Sequence, residues 1–515
     1  MPMNRKQRLA LGAQRRAQPE ATPVPITGWN TRDALTAMAP TDAIVLDNFY
    51  PDENGCTLRQ GYVQFATGLG TGVVPTLAAL QAGSIAKFLA GANGAIYDIT
   101  AGGAVGAALA SGFASNWWQT ILFNKHLFWF NGTDAPQIYD GSTVGAASFT
   151  AASGGPSITL SNLKGGIAHM NRLFLFENAN TGFWYGPLLG ISGTVTFFDL
   201  SMLSELGGNV ATISSLSYDG GSGVIDFLAI TMSTGELFLY QGTDPSSSTT
   251  WSLVGRYRLS PPVNPRSIVR YGGETYMTTF DDHIGMMQGM VALRTGILPP
   301  RTKACNAVKA AVAANPNANG WQALYYTGGR RVIFNIPNTD GSFSQHVYNV
   351  TNDAWTRFVG MPAVTWGMFG NRLYFGGSTG GIVYQADTGY LDNGVAAITG
   401  TGQQAWNTFG SSERKQLHAV RPLLQATGGI DYTFSVAFDY QPIEVSIESM
   451  TPAQGTPWDT SPWDVSPWSA EFTIDPRWRA GGGSGVAASW TLELSATTGV
   501  TWLRTDAWAD VGHGL

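Results

Sequence analysis

Charge is scarce in this chain. Only 12% of its 515 residues are Asp, Glu, Lys or Arg, about half the share usual for a soluble domain. The formal balance is -6, so no basic field advertises a tight, salt-dependent grip on nucleic acid. Cysteine is scarcer still. Cys56 and Cys305 are the two present; they lie far apart without C-x-x-C spacing. That excludes a disulfide framework and a cysteine-ligated zinc site, leaving at most a single bridge. No run of eighteen or more apolar residues occurs, so no helical membrane span is expected. The first twenty residues lack the apolar core of a secretory signal. The chain is read as made and kept in the cytoplasm until something assembles or releases it.

Catalytic constellations are missing as well. The six histidines (His126, His169, His283, His346, His418, His513) show no H-E-x-x-H or other ligand spacing. No Walker or dinucleotide glycine pattern precedes a helix. Gly376 to Gly380 match the G-x-S-x-G elbow literally, but that elbow needs a helix after it and the residues here are strand-like. Asp281, Asp282 and His283 form the only tight acid/His cluster; without a second carboxylate pair or a serine at diagnostic spacing they read as a turn between strands. Ser495 to Trp502 resembles the Asp-box of sialidase propellers, yet Thr497 stands where the organising aspartate should be. It reads as a hairpin turn with a buried tryptophan. No catalytic residue, cofactor or metal ligand is assigned, and the chain is read as non-enzymatic.

What is abundant is glycine, 64 residues, and aromatics at 12%. Together with little Lys and Glu they favour strands and turns over helices, so an all-β protein is expected. Residues 370–387 hold an apolar run, a glycine-rich turn and a second apolar run ending at Tyr384, the pattern of a β-hairpin. The same order recurs with closing tyrosines at Tyr97, Tyr139, Tyr185, Tyr240, Tyr348 and Tyr384, at intervals of 42, 46, 55, 108 and 36. The longest interval contains a weaker copy from Tyr271. Such spacing predicts an irregular β-propeller of six or seven blades over residues 75–395. An alanine-rich helix over Cys305–Ala314 is expected to interrupt it, ended by Asn315 and Pro316.

The flanks do not repeat. Residues 1–25 form a basic, proline-rich arm carrying Arg5, Lys6, Arg8, Arg15 and Arg16. It is read either as a disordered tail or as a segment ordered by a partner or nucleic acid. Residues 26–74 form a mostly irregular docking segment with Trp29, Arg32, Asp33 and Arg59 as candidate interaction residues. Asp33 is expected to cap a short turn over Ala34 to Met38, and a strand is expected from Thr57 to Phe65. Residues 396–515 read as a small C-terminal β-domain bearing three Pro-Trp pairs at Trp458, Trp463 and Trp468. Those rings are either an exposed stacking surface for glycan or protein, or a clamp packed back on the sheet.

The stretch GWNTRDAL...PTDAIVLDNFYPDENGCTLRQGY, through Gly28, Asn30, Arg32, Asp33, Ala34, Asp42, Ala43, Asn48, Pro51, Arg59 and Gly61, resembles the tail nozzle or tail hub proteins of short-tailed bacteriophages. These are related in role to packaged-DNA stabilisation proteins. The resemblance covers about 35 residues. It implies a virion structural protein: a homohexamer in the viral tail, below the portal and adaptor proteins, with tail fibre or tailspike proteins as further partners. It also implies retention of packaged DNA, a lumen for DNA ejection without sequence-specific binding, and no cofactor. Two other readings stand beside it: a tail-associated carbohydrate-binding or depolymerising protein, and a cellular propeller serving as an interaction scaffold. The segment 27–62 is expected to dock on the C-terminal domain and the first blade.

Overall fold

The apolar runs that repeat along the chain are strands buried on both faces. In His126–Phe130, Phe128 and Phe130 pack with Leu163 and Leu173 on one side, while Leu127 and Trp129 pack with Leu80 and Leu89 on the other. The period-two alternation of side chains thus serves two cores, and no residue of the run is polar after His126. The computed structural model describes residues 19–219, 223–294, 301–428, 430–441, 445–447, 473–474 and 477–511. It divides into two units: Gln60–Thr351 with Arg357–Gly394, and Met1–Arg59 with Asn352–Thr356 and Val395–Leu515.

The larger unit is a succession of antiparallel sheets, each running outward in chain order. The first holds Thr76–Ala82, Ile85–Ala92, Ala95–Asp98 and Ala110–Ser111, and the second Gln119–Phe123, His126–Phe130, Gln137–Tyr139 and Val144–Ala146. The third is built on Leu163–His169, Arg172–Glu177, Gly182–Tyr185 and Gly193–Asp199, and the fourth on Val210–Asp219, Val224–Met232, Glu236–Gly242 and Trp251–Arg258. Ile268–Tyr271, Glu274–Thr278 and His283–Gly285 follow, then Gln322–Tyr326, Arg331–Pro337 and Phe343–Asn349. The last sheet holds Ala363–Phe369, Arg372–Gly377 and Val383–Ala386. Its fourth strand comes from the start of the unit: Tyr62–Thr67 pairs antiparallel with Val383–Ala386. The first strands touch in a closed circuit, each meeting the next and Ala363–Phe369 returning to Thr76–Ala82. Antiparallel sheets arranged around an axis in this way make a β-propeller.

Each closing tyrosine sits on the third strand of its sheet, opposite an apolar residue of the second strand: Tyr97 opposite Ala90, Tyr139 opposite Leu127, Tyr185 opposite Phe174 and Tyr240 opposite Leu228. Tyr348 faces Val332 and Tyr384 faces Phe375 in the same manner. The weak copy has no such residue. After its third strand the chain turns into a helix, Met286–Arg294, which the sequence pattern did not signal. The Glu274 carboxylate accepts the Met287 and Gln288 N–H groups at 2.7 and 3.1 Å, satisfying donors of the first helical turn from a neighbouring strand. The expected helix Cys305–Ala314 is present at those bounds, with Asn315 as its C-cap.

In the smaller unit two sheets pair the ends of the chain. One contains Phe49–Pro51, Cys56–Leu58, Lys415–Ala426 and Val500–Val511, the last flanked by Pro19–Pro23. The other contains Gly28–Trp29, Asp42–Asp47, Ala396–Gln404, Asp431–Phe438 and Ala488–Ala496. Phe49 and Trp502 meet at 6.3 Å in the core. A side chain at Gly402 would come within 2.9 Å of the Trp502 ring, so glycine there permits close packing. The turn expected around Ser495 to Trp502 links Ala488–Ala496 to Val500–Val511 and Trp502 is fully buried, but the two strands enter different sheets, so the expected hairpin does not form.

Two further expectations are corrected. The segments 26–74 and 396–515 do not form separate bodies, because strands of 28–58 lie within the same sheets as strands of 396–511. The strand expected from Thr57 to Phe65 is two strands, Cys56–Leu58 and Tyr62–Thr67, one in each unit. The break falls at Arg59 to Gly61. The Arg59 N–H donates to the Asn48 carbonyl at 2.8 Å, and any side chain at Gly61 would stand 2.0 Å from the Leu391 carbonyl oxygen. The short turn expected over Ala34 to Met38 is present, the Ala37 and Met38 N–H groups donating to the Ala34 carbonyl at 2.8 and 3.1 Å, and it does not extend into a longer helix.

Tyr62 anchors the closing strand, edge-on to Phe375 at 5.0 Å and to Tyr384 at 5.2 Å. Tyr62→Ala is expected to cost about 3 kcal/mol or more, from lost contacts and the cavity left behind. Val63→Ala, at a neighbouring exposed position, should cost less than about 0.5 kcal/mol. Urea midpoints of the two variants check this; equal shifts would contradict it.

Candidate functional site

Of the residues singled out in the sequence, Arg5, Lys6, Arg8, Arg15, Arg16, Trp458, Trp463 and Trp468 lie outside the described residues. The others sit together in the smaller unit. Gly28 and Trp29 pair in parallel with Asp42 and Ala43, and Gly28 also pairs with Trp355. Asn30 Nδ2 donates to Asp33 Oδ2 and Asp42 Oδ2, each at 2.8 Å, while its own oxygen accepts the Arg32 and Asp33 N–H groups at 3.0 and 3.1 Å. Thr27 Oγ1 donates to the other Asp42 oxygen at 2.5 Å. Asn48, held at positive φ, accepts Arg59 Nε at 2.8 Å and donates to the Thr399 carbonyl at 2.8 Å.

Trp29, Asn30, Asp42, Ala43, Asn48 and Arg59 are therefore buried. Arg32 and Asp33 remain partly exposed, joined by a bidentate pair at 2.8 and 3.1 Å. An exposed pair of this kind contributes little stability. The spacing of this segment thus reflects the requirements of its own packing, and only Arg32 and Asp33 among the named residues present charge outward.

The acid/His cluster lies in the propeller. His283 Nε2 meets His346 Nδ1 at 3.0 Å, and His283 Nδ1 meets the Thr278 hydroxyl at 3.1 Å. The His283 ring also stacks on Phe334 at 4.0 Å. Asp282 accepts the Thr302 N–H at 2.7 Å, the Thr302 hydroxyl, and the His283 N–H at 2.8 Å. Burial raises the Asp282 pKa against those donors. Burial also holds His283 well below the usual imidazole range and, aided by the Arg357 charge, takes His346 down to about 3. His346 is 63 residues from His283, a separation no local motif reveals. Gly376 to Gly380 lie at the turn between Arg372–Gly377 and Val383–Ala386, with no helix after them. Cys56 and Cys305 are buried and form no disulfide. Among the described residues no group of three acidic, His or Cys side chains is placed to hold a metal.

The larger concavity was not legible in the sequence. A cavity of about 370 Å³ opens where the first strands of several propeller sheets begin. Trp117 and Gln119 come from the second sheet, Lys164 from the third, Arg266 from just before Ile268–Tyr271, and Asn317 and Asn319 from the approach to Gln322–Tyr326. A second hollow of about 290 Å³ adjoins it, sharing Lys164, Asn264 and Asn317. Arg266 Nη1 donates to the Pro75 carbonyl at 2.9 Å and Nη2 to Thr365 Oγ1 at 2.7 Å, while its guanidinium lies 5.7 Å from the centre of the Trp117 ring. The side chain thereby joins the fifth sheet to the first and last. Burial lowers its pKa to about 10 and lowers that of Lys164 as well.

No family model matches the chain, and none of the curated proteins matches it. Solved structures show distant similarity. A structure of BBS1N in complex with ARL6DN, soaked with mercury, is 11% identical, covers 64% of this chain and 98% of its own, with a TM-score of 0.39. The SapL1 lectin in complex with alpha methyl fucoside is 11% identical over 56% of this chain and 96% of its own, at 0.29. YCF48 from Cyanidioschyzon merolae is 10% identical over 72% and 98%, also at 0.29. At such scores these similarities carry no argument about function.

The buried histidines make stability depend on pH. His283, His346 and His169, the last lowered by burial to about 4, stay neutral when folded. The unfolded chain takes up protons below about 6.5, so stability falls as pH drops from there towards 3, by about 1.4 kcal/mol per unit for each fully shifted histidine. Between pH ~6.5 and ~4.5, above the main carboxylate range, the urea midpoint should fall, and less steeply in His346→Gln. An unchanged slope in that variant would contradict the assignment.

Proposed function

We propose that this chain is a non-enzymatic structural subunit of a short-tailed bacteriophage tail. In this reading it is a nozzle protein that assembles as a ring, retains packaged DNA and forms the ejection channel with portal and adaptor proteins above it. What carries the proposal is the resemblance of the segment from Gly28 to Gly61 to tail nozzle proteins. The fold adds a physical reason. The proposal takes the propeller as seven-bladed, a reading supported by the pairing of Tyr62–Thr67 with Val383–Ala386 in its last sheet. A closed propeller leaves little unpaired sheet edge and makes a rigid wedge suited to ring assembly.

The proposal assigns the DNA path to the space between subunits. Within a single propeller, Arg266 ties the first and last sheets together through the Pro75 carbonyl and Thr365, so the reading places no DNA there. A chain of net charge -6 lining the common lumen would let DNA slide without sticking. Buried His283, His346 and Asp282 have packing roles in this reading, and no catalytic role is given to them.

Sedimentation of the purified chain, alone and with its portal-adaptor complex, tests the proposal. Closed rings of about six copies, formed alone or on the adaptor, are the expected result. A monomer under both conditions, or a copy located away from the tail axis of the virion, would overturn it.

A further inference from the structure

We propose that the cavity at the end of the propeller axis binds a small anionic saccharide, with its carboxylate or phosphate between Lys164 and Arg266 and its hydroxyls against the asparagine amides. The inference is independent of the nozzle reading, since it concerns one propeller and no other subunit.

The electrostatics point to an anion. Lys164 has no hydrogen bond or ion pair among the described residues and is half-buried in the cavity wall. Arg266 is hydrogen-bonded only to neutral acceptors, Pro75 and Thr365, with Trp117 beneath its face. The nearby acids are already engaged. Glu177, which lines the adjoining hollow, accepts the Thr159 N–H and Asn180 Nδ2, each at 2.8 Å. Asp134, behind the wall, accepts the Ala114 and Ser115 N–H groups at 3.0 Å and Asn131 Nδ2 at 2.8 Å. Two cations with no ion-pair partner among the described residues, in a partly desolvated hollow, favour an anion more than the same charges would on an open surface. Burial lowers both pKa values, and a bound oxyanion would reverse that shift.

The remaining wall points to a polyhydroxylated body. Among the described residues Asn317 and Asn319 spend neither end of their amides, and Asn264 spends only its oxygen, on the Arg266 N–H at 2.9 Å. Amides offer donor and acceptor together, which suits vicinal hydroxyls. Trp117, only partly buried, supplies an aromatic face with an apolar body and a polar edge. The volume of about 370 Å³ accommodates a ligand of one or two sugar rings.

Isothermal titration of the full-length chain with glucuronate, glucose 6-phosphate, glucose and inorganic phosphate tests the site. The expected result is binding of glucuronate or glucose 6-phosphate with no measurable binding of glucose; which of the two binds identifies the oxyanion. Lys164→Gln should weaken that binding about tenfold, as loss of one charge-assisted hydrogen bond requires, and Lys164→Arg should restore most of it. Because Lys164 has no partner among the described residues, both variants should keep the wild-type melting temperature. Absence of binding by both anionic sugars would overturn the proposal, as would equal binding of glucose or an unchanged affinity in Lys164→Gln. Inorganic phosphate binding as tightly as glucose 6-phosphate would overturn the saccharide assignment.

Discussion

The propeller depends on one pairing. Tyr62–Thr67 lies on Val383–Ala386, more than three hundred residues away in sequence, and through it the last sheet takes its fourth strand from the beginning of the unit. Without that strand Val383–Ala386 would be an unpaired edge, and the ring of sheets would have two free ends. The pairing is non-local, so its loop-closure entropy is offset only when the intervening sheets have stacked. The apolar clusters between successive sheets make that stacking favourable. Phe88, Leu77 and Tyr374 join the last sheet to the first, Trp118 and Trp129 the first to the second, and Phe174 and Trp251 the third to the fourth.

Closure is also what gives the axial cavity its residues. Trp117, Lys164, Arg266 and Asn317 are scattered over two hundred positions, yet the first strands on which they ride, or which they precede, all begin at the same end of the axis. Arg266 reaches Thr365 and the Pro75 carbonyl only because the last and first sheets are brought side by side. The guanidinium that bridges the sheets therefore stands in the wall of the cavity. Rigidity around the axis and a preorganised polar hollow come from the same geometry.

Much of the fold was legible because local chemistry repeats. The tyrosines at Tyr97, Tyr139, Tyr185, Tyr240, Tyr348 and Tyr384 mark third strands, and the alanine-rich helix Cys305–Ala314 stops at the Asn-Pro that follows. Where repetition fails, legibility fails. The sheet of Ile268–Gly285 has no closing aromatic, and the helix after it contains Gly289, so neither the short third strand nor the helix announced itself. The run from Cys56 to Thr67 has one continuous strand-like pattern, and only the steric demand at Gly61 divides it between two units. Arg59 read as a candidate contact within the resemblance to tail nozzle proteins, but its partner Asn48 supplies the reason for its burial. The axial cavity had no signal at all, since no two of its charged residues are neighbours in sequence.

Native-state hydrogen exchange across the closing strand tests the central claim most directly. If Tyr62–Thr67 seals the propeller, its ladder-bonded amides should exchange only with global unfolding, at the same free energy as those of Arg372–Gly377 in the same sheet. Exchange of the 62–67 amides at the low free energy of a fraying terminus, while Arg372–Gly377 stays protected, would contradict it.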